Sequence, residues 1–285
     1  MKKSIFVALF CAMPFCVAMA QQSKYQQLVD LAFAATEQDS LSQAEDYIRQ
    51  ALKLEPANPH NAMLFSNLGT IQRRMHRYEA ALQSYTYALN FAPKALTILM
   101  NRATLNLELG KNDAARADYS LALDLDKDNK EALLMRAYIY MQQRDYKSAR
   151  ADYVHLLKID PVDYKARLGL ATLAQKEGKM EEALTLLNQL INEDQLGKNK
   201  LEASALAVLY VARAGVEKDL KHADLALVDL EEAIRLDAAQ SNAYLIRGQI
   251  YLSAGKKGLA KQDFEKAIQL GVPRGDLKHL LQQCR

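Results

Sequence analysis

Residues of the same kind recur every 34 positions along most of this chain. One column with this step consists of small residues: Gly69, Ala103, Ala137 and Ala171. A second small column consists of Ala81, Ala115, Ala149 and Ala183, and a column of large residues consists of Tyr85, Tyr119, Tyr153 and Leu187. A 34-residue period of this kind is typical of stacked helix–turn–helix units. The spacing therefore predicts an all-α protein.

Close approach of two helices explains the small columns. Antiparallel helices nest tightly only where the side chains at their crossing are small, and Ala103 and Ala115 meet this need on the two helices of one unit. Gly110 breaks the chain between them, as a glycine just past a helix end usually does. Such a unit cannot bury its apolar face alone, so each unit must pack on its neighbours.

Two units carry a recognisable family signature. The unit from Ala62 has Phe65, Leu68, Gly69, Ala81, Tyr85, Ala88 and Pro93 in the signature positions, and the unit from Ser241 has Tyr244, Gly248, Tyr251, Ala260, Phe264 and Ala267. With these residues the chain resembles the tetratricopeptide repeat (TPR) family over nearly all of its length beyond residue 24, although it lacks the family's tryptophan. The resemblance implies a TPR solenoid, a right-handed superhelix that binds partners on the inner face of its first helices.

The period predicts a single TPR array over 21–285. Its seven units lie near 25–58, 62–95, 96–129, 130–163, 164–197, 207–240 and 241–273, and a terminal capping helix lies within 274–285. The first interval is 37 residues, which we interpret as a turn lengthened at Pro59-His60-Asn61. The interval from Ala171 to Ala214 is nine residues too long, with the surplus near 192–201. We interpret that surplus as an insertion or as two lengthened helices; a partner-binding loop is the alternative.

Residues 1–20 have the features of a secretory signal peptide. Lys2 and Lys3 precede an uncharged apolar run, and Ala18-Met19-Ala20 is a small-x-small cleavage site. A lipid anchor at Cys11 or Cys16 is the rival, but a phenylalanine precedes each where a small residue is expected. We therefore expect export to the periplasm of a bacterial cell envelope, with secretion or outer-membrane association as alternatives, and no stable membrane insertion after cleavage.

Charge and motif content exclude several classes of function. Removing the signal lowers the formal charge from +3 to +1, and no basic run remains for nucleic acid. The five histidines are far apart, and none belongs to a metal-binding helix motif. No glycine-rich phosphate loop, nucleophile elbow or CxxC pair occurs. We therefore expect no enzyme activity, no catalytic residues, no metal and no cofactor.

Arginine and aspartate occur together in two further columns. Arg102, Arg136, Arg213 and Arg247 precede the small column, and Asp118, Asp152, Asp229 and Asp263 each follow 16 residues later. The other units have leucine in the arginine column, and arginine never occurs there without aspartate. A ladder of ligand-binding arginines is one interpretation. We favour structural ion pairs within each helical hairpin, because a buried charge needs a partner.

The family resemblance places ligand contacts on the inner face of the first helices. By the matching columns, the candidate partner-binding groove there contains Arg73, Arg74, Met100, Thr104, Leu134, Tyr138, Met141, Lys165, Leu168 and Thr172. Met100, Leu134, Tyr138 and Met141 suit an adaptable apolar floor, although they would equally serve to cover neighbouring units. The carboxylate-clamping set of some relatives is incomplete here, which argues against a C-terminal carboxylate as ligand.

Together these features predict an exported protein-interaction scaffold that binds an unidentified protein or peptide in its concave groove. A structural subunit of a cell-envelope assembly is the main alternative, and it would need an apolar patch on the outer face. A glycan-binding module is the second, and it would need several exposed aromatic platforms, for which Tyr138 is the one clear candidate.

Overall fold

A computed structural model describes residues 22–285 of the chain, and the predicted signal peptide and its cleavage site lie outside them. These residues form fifteen helices and no strand. The helices are α1 Lys24–Glu37, α2 Leu41–Leu54, α3 Asn61–Arg74, α4 Tyr78–Phe91, α5 Leu96–Glu108, α6 Asn112–Leu125, α7 Lys130–Gln142, α8 Tyr146–Ile159, α9 Tyr164–Lys176, α10 Met180–Gln195, α11 Ala203–Asp219, α12 Ala223–Leu236, α13 Ser241–Ser253, α14 Lys257–Gln269 and α15 Lys278–Gln283. The all-α class predicted from the period is confirmed.

The described residues divide into two compact units, one ending at Ile98 and the other running from Leu99 to Arg285. In the first, α1 pairs with α2 and α3 with α4. In the second, consecutive helices from α7 to α14 pair in the same way, and each pair also contacts the next. First helices meet there as well: α7 contacts α9, α9 contacts α11, and α11 contacts α13. One face of the second unit is therefore lined by first helices. The single array over 21–285 stays a prediction.

The turn inside each helical pair has a residue in the left-handed region at the same repeat position. Glycine occupies it at Gly110, Gly178 and Gly255, whereas Asp39, His76, Arg144 and Lys221 adopt positive φ without being glycine. His76, with a φ of 58°, is thus a turn residue, like Gly110 at 69°. A left-handed residue just past a helix end lets its N–H reach the last turn, which ends the first helix sharply.

Small residues let the paired helices approach closely. Ala103, Ala115, Ala137 and Ala149 have no exposed surface. A Cβ added at Gly69 would lie 2.8 Å from the Tyr85 ring, and one added at Gly248 would lie 2.7 Å from the Phe264 ring. The aromatic side chain of the second helix therefore occupies the space that a larger residue in the small column would need.

The two interruptions of the period differ from each other. The surplus near 192–201 is shared by a 16-residue α10, a 17-residue α11 and the connection between them. Asp194 holds that connection by accepting a 2.8 Å hydrogen bond from the Leu201 N–H.

Asn61, expected in a lengthened first turn, is the first residue of α3 and is fully buried. Its amide donates to the Glu55 and Pro56 carbonyl oxygens and accepts from the Tyr25 hydroxyl at 3.0 Å. The lengthened turn itself is confirmed, since 55–60 supplies six residues between α2 and α3 where α6 and α7, or α8 and α9, are joined by four. Asn61 alone was misplaced, because its side chain ties α1 and the end of α2 to α3.

The last helix covers the end of the second unit. Leu277 is buried, and Leu280, Leu281 and Cys284 pack on a cluster that includes Phe264. This contact shields apolar surface that a terminal repeat would otherwise expose. Among residues 22–285, no helix combines the length and apolar character needed to cross a membrane.

Candidate functional site

A cavity of about 610 Å³ opens on the face that α7 and α9 form in the second unit. Most of its lining is apolar. The residues are Leu107 of α5, Leu134, Met135, Tyr138, Met141 and Gln142 of α7, Tyr153 of α8, and Lys165, Leu168, Gly169, Thr172 and Lys176 of α9. Its volume lies within the range typical of ligand pockets, about 300–1,000 Å³.

Six predicted groove residues come together in this cavity: Leu134, Tyr138, Met141, Lys165, Leu168 and Thr172. Met100 and Thr104 do not line it; the Thr104 hydroxyl bonds to the Met100 carbonyl oxygen at 2.9 Å. Arg73 and Arg74 belong to the first unit, where Arg74 donates to Asp39 at 2.6 Å. Partner binding by the ten residues stays a prediction.

Tyr153 lines the cavity in a way that its repeat column did not predict. Its side chain is only 5% exposed, and its ring lies against Gly169, where an added Cβ would overlap the ring. Gly169 stands in the column occupied by Asn67, Asn101 and Met135 in the preceding units. Gly169, in the repeat that follows Tyr153, has no side chain and therefore leaves room for this ring.

The hydroxyl of Tyr153 differs from those of its column mates in hydrogen bonding. The Tyr85 hydroxyl lies 3.1 Å from the Thr70 hydroxyl, and the Tyr119 hydroxyl lies 3.2 Å from that of Thr104. The corresponding residue near Tyr153 is Tyr138. Among the described residues, none forms a hydrogen bond with the Tyr153 hydroxyl. Every described side-chain nitrogen or oxygen atom that is buried from solvent has a hydrogen-bond partner, so the Tyr153 hydroxyl is not such a buried atom. This hydroxyl is therefore open to the cavity that its residue lines.

The charged side chains at the cavity are all cationic. Lys165 and Lys176 are exposed and stand at the first and last turns of α9, roughly 16 Å apart along the helix axis. Neither lysine has an ion-pair partner within residues 22–285, and no aspartate or glutamate lines the cavity. Burial raises the pKa of Tyr153 to about 12, so its hydroxyl stays protonated at neutral pH.

The structure brings together all four arginine–aspartate pairs within their helical hairpins. The guanidinium Nε of Arg102, Arg136, Arg213 and Arg247 donates to one aspartate oxygen at 2.8–2.9 Å, and Nη2 donates to the other at 2.7–2.8 Å. The aspartates are buried: Asp118, Asp152, Asp229 and Asp263 are 4–6% exposed. Two parallel charge-assisted bonds per pair hold each first helix to its second helix.

Two of these arginines also reach the preceding helical pair, a contact that the repeat analysis missed. Nη1 of Arg136 donates to the Ser120 hydroxyl at 3.2 Å, and Nη1 of Arg213 donates to Asn188 at 2.7 Å. The hydrogen bonds to Asp152 raise the pKa of Arg136 despite its partial burial. Because the residues at 120 and 188 differ, no column pairing revealed the contact.

The compact unit that ends at Ile98 lacks the arginine–aspartate pair and has a different buried polar network. Glu45 is 7% exposed and accepts hydrogen bonds from Arg49, Arg77 and Gln72. The Ser84 hydroxyl in turn donates to Gln72 at 2.7 Å. Burial raises the pKa of Glu45, but these hydrogen bonds outweigh it and hold the pKa below its usual value.

Within residues 22–285, no three histidine, cysteine or acidic side chains are grouped as metal ligands would be. The candidate site is thus the cavity, with apolar walls, two unpaired lysines and one open hydroxyl. This arrangement suits binding of an amphipathic ligand.

Removing one member of an ion pair should destabilise the protein more than replacing both. Asp152→Ala leaves the Arg136 charge without its main partner and should lower the free energy of unfolding by about 3 kcal/mol. The double change Arg136→Leu with Asp152→Leu, which copies Leu170 and Leu186 of the next unit, should cost less than about half of that. Urea denaturation followed by circular dichroism measures both. A single variant as stable as the parent would contradict a structural role for the pair.

Two helical glycines should respond in opposite directions to alanine. Gly169→Ala places a methyl group into the Tyr153 ring and should cost about 1–3 kcal/mol through overpacking. Gly215→Ala, also within a helix, meets no atom closer than 3.7 Å and should stabilise by about 0.5–1 kcal/mol, since alanine is the better helix former. Urea midpoints compare the two. A gain in stability at both positions would show that Gly169 is not needed for the Tyr153 ring.

Comparisons with known proteins agree with this architecture. Family models described as tetratricopeptide repeat match residues 66–132, 140–199 and 241–270. A crystal structure of a tetratricopeptide repeat protein from Parabacteroides merdae is similar over 91% of this chain and 98% of its own, with 34% identity and a TM-score of 0.81.

Two further proteins are similar to a lesser degree. A chain of the APC/C hetero-tetramer Cut9–Hcn1 matches 92% of this chain and 48% of its own at 16% identity, with a TM-score of 0.65, which shows likeness of fold alone. The 58 kDa phosphoprotein of Plasmodium berghei is 31% identical over 108 residues, which are 36% of this chain and 26% of that protein. This chain thus matches about a quarter of the length of that curated relative.

Three family models match this chain, and the chain covers almost the whole length of the Parabacteroides merdae relative. The chain therefore belongs to the tetratricopeptide repeat family.

Proposed function

We propose that this protein is an exported scaffold that binds a protein or peptide in the cavity between α7 and α9, without catalysing a reaction. The observation that carries the proposal is the cavity itself, an apolar depression on the face of the first helices with polar side chains at its edges. The TPR fold is consistent with a protein-interaction scaffold, and members of the family are generally not enzymes.

The cavity lining suits a protein segment in particular. Met135 and Met141 are flexible and polarisable, so they can adapt to the shape of an incoming side chain. Gln142 supplies an amide that can donate to and accept from a peptide backbone. A segment lying along α7 and α9 would therefore find both apolar contact and hydrogen-bonding groups.

Export is supported by the sequence of the first twenty residues. Lys2 and Lys3, the apolar run and Ala18-Met19-Ala20 together form the pattern that signal peptidase cleaves. The relative from Parabacteroides merdae, of which this chain covers 98%, is a bacterial protein, and a bacterial origin is consistent with the proposed location in a cell envelope. The periplasm is the proposed location, and secretion or outer-membrane association are the alternatives.

The main alternative is a structural subunit of a cell-envelope assembly. Leu225 and Val228 stand three residues apart on α12 and are 56% and 63% exposed. This is a small apolar surface away from the lining of the cavity, and an assembly contact would use it. A glycan-binding module has less support, because Tyr138 is the exposed aromatic residue of the cavity while Tyr153 is buried.

Photo-cross-linking in native cells tests which surface the partner contacts. A benzoylphenylalanine replacing Tyr138, which is 47% exposed, should form adducts with a partner. The same residue replacing Val154, 40% exposed on α8 of the same repeat, is the matched control and should not. Mass spectrometry of the adducts identifies the partner. Adducts at Val154 or at Leu225, with none at Tyr138, would favour an assembly subunit and contradict binding in the cavity.

N-terminal sequencing of the protein from its native cells tests export. Cleavage after Ala20 should give a mature chain that begins at Gln21, because signal peptidase cuts after a small-x-small site. The measurement is made on the protein of the cell-envelope fraction. Recovery of intact Met1, or of a lipid-modified cysteine at the N-terminus, would contradict the proposed route.

A further inference from the structure

We propose that the cavity between α7 and α9 selects a peptide segment in which a bulky apolar side chain stands beside the carboxylate of an aspartate or glutamate. This inference rests on the proposed function, because it names the kind of segment that the scaffold binds. It goes further in assigning the recognition of charge to Tyr153, Lys165 and Lys176.

The apolar part of the ligand is indicated by the cavity floor. Leu134, Tyr138 and Met141 occur at i, i+4 and i+7 of α7 and share one face of that helix. Leu168 lies on the neighbouring α9, and these side chains all line the cavity. A leucine or phenylalanine side chain entering here would be removed from water and surrounded mostly by carbon atoms, which favours its binding.

The polar part is indicated by the Tyr153 hydroxyl. This hydroxyl has no hydrogen-bond partner among the described residues and is open to the cavity, so water or a ligand satisfies it. At neutral pH the hydroxyl is protonated and donates a hydrogen bond, which is strongest to an ionised acceptor. Tyr85 and Tyr119 use their hydroxyls within the protein, so Tyr153 is the member of this column that is free to recognise a ligand.

The sign of the ligand charge is indicated by the lysines. Lys165 and Lys176 stand at the two ends of the cavity wall formed by α9, and among the described residues they have no carboxylate partner. No acidic side chain lines the cavity to offset them. Their potential favours an anionic ligand and disfavours a cationic one, a discrimination that weakens with salt.

A side chain of a longer segment suits the site better than a free anion. The cavity lies between exposed residues, Tyr138 on α7 and both lysines on α9, so a chain can enter and leave along the helix face. The lysines are roughly 16 Å apart, which is about five residues of extended peptide. One segment can thus place its apolar side chain centrally, with a carboxylate at Tyr153 and further acidic residues near the lysines.

Binding of short synthetic peptides to the mature protein tests this inference. The peptides carry phenylalanine beside glutamate, glutamine or lysine, and both ends are blocked so that only the side chain supplies charge. Fluorescence anisotropy should show that the glutamate peptide binds at least about tenfold more tightly than the glutamine peptide, since one charge-assisted hydrogen bond is at stake. Its affinity should fall with added salt, and the lysine peptide should bind most weakly.

Three variants locate the selectivity within the cavity. Tyr153→Phe removes only the open hydroxyl and should weaken glutamate-peptide binding about tenfold and glutamine-peptide binding less, because the glutamine carbonyl accepts only a neutral hydrogen bond. Tyr119→Phe, which removes a hydroxyl already bonded to Thr104, is the matched control and should leave binding unchanged. Lys165→Gln with Lys176→Gln should remove most of the salt dependence. Thermal unfolding of each variant establishes that it is folded.

The outcomes separate this inference from the proposed function. Equal binding of the glutamate and glutamine peptides, or full affinity in Tyr153→Phe, would overturn the acidic segment while leaving cavity binding intact. Binding of dodecanoate in place of any peptide would show a small amphiphile as occupant and would also overturn it. If no peptide binds and Tyr138 forms no cross-link in cells, the proposed function itself fails.

Discussion

The fold depends on the close approach of two helices within each helical pair. Ala103 and Ala115 have no exposed surface, so a larger side chain at either position would have to displace its neighbours. The fully buried rings of Tyr85 and Phe264 pack against the small residues Gly69 and Gly248, and large aromatic side chains dominate the energetics of such contacts. A larger side chain at a helix crossing would push the two helices apart, whereas loss of an aromatic ring would leave a cavity between them. The 34-residue period in the sequence records this steric requirement.

Polar groups between the helices add a second constraint. Since the aspartates of the ion pairs are nearly buried, each is tolerated only because an arginine satisfies both of its oxygens. Arg136 and Arg213 also bond to the preceding helical pair, so these side chains link neighbouring pairs as well as the helices of one pair. In the first compact unit, which lacks this arginine, Glu45 and Gln72 form a different network. The hydrogen-bonding arrangement differs between repeats, but every described side-chain nitrogen or oxygen atom that is buried from solvent has a hydrogen-bond partner.

Periodicity predicted the features that repeat and missed those that do not. Helix pairing and the arginine–aspartate register were readable because a constant spacing brings equivalent residues to equivalent places. The contacts of Asn61 and Glu45 were not, because each depends on a combination of residues that is not repeated along the chain. The same holds for Tyr153, whose direction is decided by Gly169 in the following repeat. Two columns reveal a contact only when both residues recur together, as arginine and aspartate do, so a combination that occurs once leaves no pattern to detect.

Departures from the repeat are informative for this reason. Where a repeat carries the common residue type at a position, helix packing explains that residue. Where it carries a different type, either a neighbouring residue compensates for the change or the packing constraint is absent. At the cavity two departures coincide: Tyr138 stands where threonine would bond to the tyrosine hydroxyl, and Gly169 removes a side chain that would block the ring. Together they leave a tyrosine hydroxyl without a partner in the protein at the wall of a largely apolar cavity, in the one repeat of this column where that combination occurs among the described residues.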